Sequence, residues 1–196
     1  EGRGADWAKK HYPLDPDGNF YRLDDHAPNA DTGVVGSDRG SGEFQYEGTT
    51  PAAWSDTFIK ETNKDANDYT DLANFTRIVS AEVSGGSAAQ PAISDAAYPA
   101  AVSTVLDVDQ FYRYIATDAL VGNQEGGLQS ARADDVSIYR GVVDTRFRLV
   151  PHDLDDVFDI GNGAGNPVTR SLFSYDEQVQ QGNTGIVGLR RMFNHP

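Results

Sequence analysis

Four carboxylates fall within seven residues in Pro151-His152-Asp153-Leu154-Asp155-Asp156-Val157-Phe158-Asp159. Carboxylate oxygens are the ligands that hard divalent cations such as Mg²⁺ and Ca²⁺ take. Crowded carboxylates also repel one another, so a bound cation or a raised pKa relieves such a stretch. A solvated acidic turn is the plainer alternative, because runs of charge commonly lie on the surface. An EF-hand loop does not fit: the fifth position counted from Asp153 is Val157, where an oxygen ligand is required. A second acidic group comes earlier, with Glu125 in Gly122-Asn123-Gln124-Glu125-Gly126-Gly127 and the pair Asp134-Asp135 just before Val136. A carboxylate at a helix end can act as a general base or orient a nucleophile, although Glu125 taken alone reads as a surface loop residue.

The elements around these residues must place them. Asp107 is expected to cap a helix, with Gln110 at the capping-box position. Val108, Phe111, Ile115 and Ala119 line one side of that helix, Tyr112, Ala116 and Leu120 flank them, and Gly122-Asn123 stops it. A hairpin follows: Val136-Ser137-Ile138-Tyr139-Arg140, a turn around Asp144, then Arg146-Phe147-Arg148-Leu149-Val150, ended by Pro151. Phe147 and Leu149 alternate with two arginines, so one face is buried and one is wet. The acidic stretch thus leaves the mouth of a hairpin beside a helix end.

Upstream, Asp17-Gly18 reads as a turn into a short strand, Asn19-Phe20-Tyr21-Arg22-Leu23, and a second strand is expected at Glu43-Phe44-Gln45-Tyr46. A helix is expected after Asp68, with Leu72, Phe75, Ile78 and Val79 on one face and Asp71 favourable to its dipole. A low-complexity connector covers about 84–97, and the last segment, Ile186 to Phe193, reads as helix. The fold class expected is α+β, in a single domain over 1–196.

The 196 residues carry a formal net charge of −14. Acidity this strong disfavours a nucleic-acid backbone or an anionic membrane as main partner. There is no cysteine, which excludes disulfides, thiolate metal sites and cysteine nucleophiles. No signal peptide and no apolar run of membrane-spanning length is present. The chain begins with Glu1 and ends just after a helical pattern, so we expect a piece of a longer protein. Gly161-x-Gly163-x-Gly165 neither follows a strand nor opens a helix, Asn74-Phe75-Thr76 is a chance-level glycosylation sequon, and the four histidines have no metal-ligand spacing.

Several motifs taken in order resemble the CotH (spore-coat protein H-like) kinase family. They are Leu106-Asp107-Val108-Asp109-Gln110-Phe111, Gly122-Asn123-Gln124-Glu125-Gly126, Asp135-Val136-Ser137-Ile138-Tyr139 and Pro151-His152-Asp153-Leu154-Asp155, with Gly18-Asn19-Phe20-Tyr21-Arg22 and Lys60-Glu61-Thr62-Asn63-Lys64 upstream. The resemblance covers about residues 17–193. It implies an atypical protein-kinase-like fold, mostly the helical C-terminal lobe with the hairpin carrying a metal-binding loop, and an incomplete N-terminal lobe. It implies phosphoryl transfer from ATP to protein hydroxyls with Mg²⁺ (or Mn²⁺ or Ca²⁺), by a bacterial protein placed outside the cell or on its surface.

By motif position Glu125 stands for the catalytic-loop Asp and Asp135 for the metal-binding Asn. The resemblance implies Asp153 as the main metal ligand and Asp155 as a second ligand or a structural support. Glu for Asp adds a methylene, Asp for Asn adds charge near the metal, and His152 replaces a Trp. The family's phosphate-binding Lys finds no motif match; Lys60 and Lys64 read first as surface charges flanking a helix. Two other readings stand beside the kinase. One is a non-catalytic surface module keeping the fold and binding Ca²⁺ or Mg²⁺. The other is a carboxylate-based glycoside hydrolase.

Overall fold

The computed structural model describes residues 4–23, 44–55, 58–122, 128, 136–151, 154, 157–159 and 187–194. Among the described residues there are four strands: β1 (Asn19–Leu23), β2 (Phe58–Lys60), β3 (Val136–Arg140) and β4 (Phe147–Pro151). They form one antiparallel sheet in the order β2-β1-β3-β4. The hairpin is therefore not an isolated ribbon. Its first strand pairs with β1 in the register Asn19↔Arg140 to Arg22↔Ser137, across more than a hundred residues of chain. The helices are α1 (Ala5–His11), α2 (Thr70–Val79), α3 (Tyr98–Val102), α4 (Val108–Val121) and α5 (Arg190–Asn194), the last preceded by a 3-10 turn at Val187–Leu189. The α+β class read from sequence holds.

Alternation along the strands divides the sheet into two faces. Tyr21, Leu23, Phe58, Val136, Ile138, Phe147 and Leu149 point into the main core, where Leu72, Phe75 and Val79 of α2, Tyr98 and Val102 of α3, Phe111 of α4 and Met192 of α5 meet them. Phe75 and Phe147 lie 4.7 Å apart, ring centre to ring centre. Phe20, Tyr139 and Val150 point the other way and are covered by α1 through Ala8, Trp7 and Tyr12. Tyr12 stacks on Tyr139 at 4.5 Å and Trp7 meets Phe20 edge-on at 5.1 Å. Without an apolar repeat beyond Trp7 and Ala8, α1 gives little helical signal in the sequence.

Asp107 caps α4 as expected, accepting from the Gln110 N–H at 3.2 Å. The other half of the capping box does not form. The Gln110 amide instead donates to the Leu149 carbonyl at 2.9 Å and accepts from the Leu149 N–H at 3.0 Å. The Phe147 N–H donates to the Val105 carbonyl and the Phe147 carbonyl accepts from the Asp107 N–H. The outward backbone groups of Phe147 and Leu149 on edge strand β4 are thereby satisfied, which removes most of a template for intermolecular pairing. Gly122 closes α4 in the left-handed region at φ 62°.

Three sequence expectations shift. The strand expected at 43–46 is absent over its described residues 44–46; Phe44 adopts a left-handed φ of 51° and buries its ring among Phe58 and Phe75. The second N-terminal strand is β2 instead. On α4, Val108, Ile115 and Ala119 are half-buried around the buried Phe111, while the flanking Tyr112, Ala116 and Leu120 are exposed. For α2, Asp68 does accept from the first-turn Thr70 N–H at 2.9 Å, one residue ahead of the position that caps in the regular way.

Candidate functional site

The two ends of the sheet are built differently. At one end lies the β3–β4 turn. Asp15 inserts its carboxylate there, accepting from the N–H groups of Val142 (2.8 Å), Val143 (3.0 Å) and Asp144 (2.9 Å). Burial opposes its ionisation, but these backbone donors together with Arg148 hold its pKa below the ordinary range. Asp144 in turn takes Arg146 at 2.8 Å and also pairs with Arg148, while Arg148 reaches Asp107 at 3.2 Å. The Arg146 hydrogen bond, above all, pulls the Asp144 carboxyl well below its usual range. Every charge in this cluster faces an opposite one.

At the other end the chain enters β3 after Asp135 and leaves β4 towards Asp153 and Asp155. Val136 and Pro151 are register partners there. Asp153, Asp155, Asp135 and Glu125 themselves lie outside the described residues, as do His152 and the Gly161–Gly165 loop. Their described neighbours border a cleft of about 280 Å³ between the C-terminal half of α4 and the chain beyond β4, lined by Tyr114, Thr117, Asp118, Val121, Pro151, Leu154 and Val157. Just past it, Phe158 is held at φ 60°, ψ 28° with its ring exposed. A bulky residue in the left-handed region is strained, by about 1–2 kcal/mol.

Asp118 is the functional candidate that sequence reasoning missed. It is a carboxylate only 5 % exposed on a cleft wall that is otherwise mostly apolar. The signal was present: position 118 follows Phe111 by seven residues and Ile115 by three, so it falls on the buried side of the helix. An acid on an apolar stripe is the informative exception to burial rules.

Lys60 is also placed differently from expectation. It does not flank a helix on the surface but sits in β2, 5 % exposed, with Nζ donating to the Asp68 carbonyl and lying 5.4 Å from the Tyr21 ring and 5.6 Å from the Tyr69 ring. Carbonyl and aromatic faces together satisfy a buried ammonium. Beside it Asp71 accepts from the Tyr21 hydroxyl at 2.6 Å, the Asn19 amide at 2.8 Å and the Leu72 N–H at 2.8 Å. Burial first, and then the Asp71 charge, push the Tyr21 phenol far up, so it stays a donor. These groups bolt α2 to the sheet. Lys64 is exposed and pairs with Glu61 at 3.1 Å, as a surface charge does. The sequon is closed by the fold, since Thr76 is fully buried and donates to the Leu72 carbonyl at 2.9 Å.

Among the described residues no group of three or more His, Asp or Glu is placed to hold a metal, and no helix is long and apolar enough to cross a membrane. The family model described as CotH kinase protein matches residues 5–193, and the chain belongs to that family. A search of curated proteins finds no match.

Proposed function

We propose that this member of the CotH kinase family transfers the γ-phosphoryl group of ATP to hydroxyl groups of a protein substrate, in an atypical kinase-like fold that depends on a divalent metal. The observation that carries the reading is the family match over residues 5–193, within which the acidic motifs occur in the family's order. Phosphoryl transfer asks little covalent chemistry of a protein. It asks for charge neutralisation on the phosphates and for a positioned carboxylate near the attacking hydroxyl. Asp153, Asp135 and Asp155 supply hard oxygen donors, the set that Mg²⁺ prefers and Mn²⁺ or Ca²⁺ accepts. When bound, the metal offsets charge on the phosphates and orients them. Glu125 is the general base that receives the acceptor hydroxyl's proton. The −14 chain fits a protein acceptor better than a polyanionic one. Placement outside the bacterial cell or on its surface, within a larger multidomain protein, completes the proposal.

One alternative rests on specific residues. Glu125 where the family has Asp, and Asp135 where it has Asn, favour a kinase-like module that binds Mg²⁺ or Ca²⁺ for rigidity without transferring phosphate. A methylene's displacement of a base, about 1 Å, costs on the order of a hundredfold in rate. Calorimetric titration of ATP, with and without Mg²⁺, separates the two. Metal-dependent binding that Asp153→Ala abolishes, with thermal unfolding unchanged, is the expected result. Nucleotide affinity surviving in Asp153→Ala removes Asp153 as the ligand, and no binding by the folded parent chain favours the rigid module.

A further inference from the structure

Helix α4 carries apolar side chains on two sides. Phe111 is buried in the core, with Val108 and Ile115 packed against it. On the solvent side Tyr112, Ala116 and Leu120 follow one another at four-residue intervals, and all three are exposed. Leu120 has 69 % of its surface in water and Tyr112 has 42 %. Single exposed apolar residues are ordinary, but three in one four-residue row form a ridge of the kind that packs helix on helix. The charges that α4 exposes beside this ridge are Asp109 and Arg113, and they pair with each other at 2.7 Å. In a chain of net charge −14, the helix thus presents no net charge there. A hollow of about 150 Å³ borders the ridge at its Tyr112 end, walled mostly by apolar groups of Tyr98, Pro99 and Val102 on α3 and Met192 on α5. Tyr112 is fixed at the edge of that hollow, its hydroxyl donating to the Met192 carbonyl at 3.0 Å.

The ridge is complementary to itself. Its order is large, small, large, with Ala116 at the centre. When two copies of α4 cross antiparallel about a twofold axis beside Ala116, Leu120 of each copy meets Tyr112 of the other, and the alanines let the helix axes approach. Each leucine then falls beside the hollow that Tyr112 edges, and the symmetry fills both hollows at once. A parallel crossing would set leucine on leucine and leave both hollows empty. Electrostatics favours the same face, because two copies of so acidic a chain repel one another through any surface that carries its share of the charge.

We propose that this face of α4 is a self-association surface, on which a second copy of the chain docks antiparallel with Leu120 of each copy seated against Tyr112 of the other. The proposal does not depend on the nucleotide reading. Sedimentation velocity of the parent chain over a dilution series shows a reversible monomer–dimer equilibrium. It is weak, because one helix crossing lies at the small end of protein interfaces, and salt strengthens it by screening the repulsion between two acidic copies. Leu120→Asp raises the dissociation constant by about tenfold to a hundredfold, the scale of one buried leucine. Thermal unfolding of the dilute monomer stays the same in that variant, since the side chain is exposed in the single chain. The chain has no cysteine, so single cysteines report the geometry on a clean background. Under mild oxidation Ala116→Cys cross-links to itself, Leu120→Cys does so much more slowly, and Leu120→Cys mixed with Tyr112→Cys gives the mixed disulfide. A parent chain that stays monomeric throughout the series, or a folded Leu120→Asp that associates like the parent, overturns the proposal. Leu120→Cys cross-linking to itself as readily as Ala116→Cys overturns the antiparallel seating on which it rests.

Discussion

The hairpin-turn end of the sheet and the end from which the acidic segments leave are made from the same strands and solve opposite problems. At the turn end, Asp15, Asp107 and Asp144 are matched by backbone N–H groups and by Arg146 and Arg148. Tyr139 donates to the Asp15 carbonyl, accepts from the Gly18 N–H at 3.1 Å, and stacks on Tyr12. At the other end a buried serine hydroxyl has no partner among the described residues, a buried aspartate lines a cleft, and a phenylalanine holds a left-handed backbone with its ring in solvent. Saturated polar groups fix a structure, and backbone strain beside a cleft is a pointer to function. Changes at the turn end should therefore cost folding, and changes at the other end should cost binding.

The largest effect is expected at Gly18. A Cβ there would stand 2.1 Å from the Arg140 carbonyl and 2.8 Å from the Gly141 Cα, both backbone atoms that cannot step aside without parting β1 from β3. Gly18→Ala should destabilise the chain by about 3 kcal/mol, at the upper end of overpacking penalties, read by urea unfolding. A variant as stable as the parent would show that the strap from Asp15 to Gly18 is not what closes this end.

Asp144→Asn is expected to act on the same end more weakly. The carboxyl's pKa is depressed in the fold, chiefly by its hydrogen bond to Arg146. A depressed carboxyl stabilises above the ordinary aspartate value of 3.8 and loses that contribution as pH falls through the folded value. Its side chain is 29 % exposed, so solvent screening limits the gain to about 1 kcal/mol. The parent should lose stability progressively below about pH 4, and Asp144→Asn should begin lower and show a shallower acid limb. Parallel curves for the two proteins would mean that Arg146 and Arg148 are held by Asp107 alone.

How legible these two ends were in the sequence follows the same division. Strand β1 and the hairpin declare themselves because turn residues bracket alternating apolar positions, and α4 because Asp107 and Gly122 mark its ends. Strand β2 is three residues long and carries a lysine, and only Tyr21, Tyr69 and the Asp68 carbonyl, brought in by the fold, make burying that lysine tolerable. The Gln110 side chain offered a local partner in its own helix and took a distant one on β4. Asp15, too, works on a turn more than a hundred residues away, which no local pattern reveals. The family was legible as motif order, through the segments that carry Glu125, Asp135, Asp153 and Asp155, while those four side chains lie outside the described residues. The buried Asp118 and Ser137 were not legible, because what sets them apart is the face of the element they occupy.

The smallest change in stability is expected at the end where the acidic segments leave, and its sign is the informative part. Phe158 sits at φ 60° with 57 % of its surface exposed, so it forfeits about 1–2 kcal/mol of backbone strain without deep burial in return. Phe158→Gly removes the strain but gives the unfolded chain more freedom, an opposing cost of about 0.5–1 kcal/mol. The net expectation is a neutral to slightly more stable protein, by up to about 1 kcal/mol. A residue held against its preference beside a cleft persists because something other than stability selects it. Phe158→Gly should therefore weaken metal-dependent ATP binding while leaving the melting temperature equal or higher. Loss of stability with unchanged ATP affinity would reverse the assignment, making this end structural like the other and placing the ligand elsewhere.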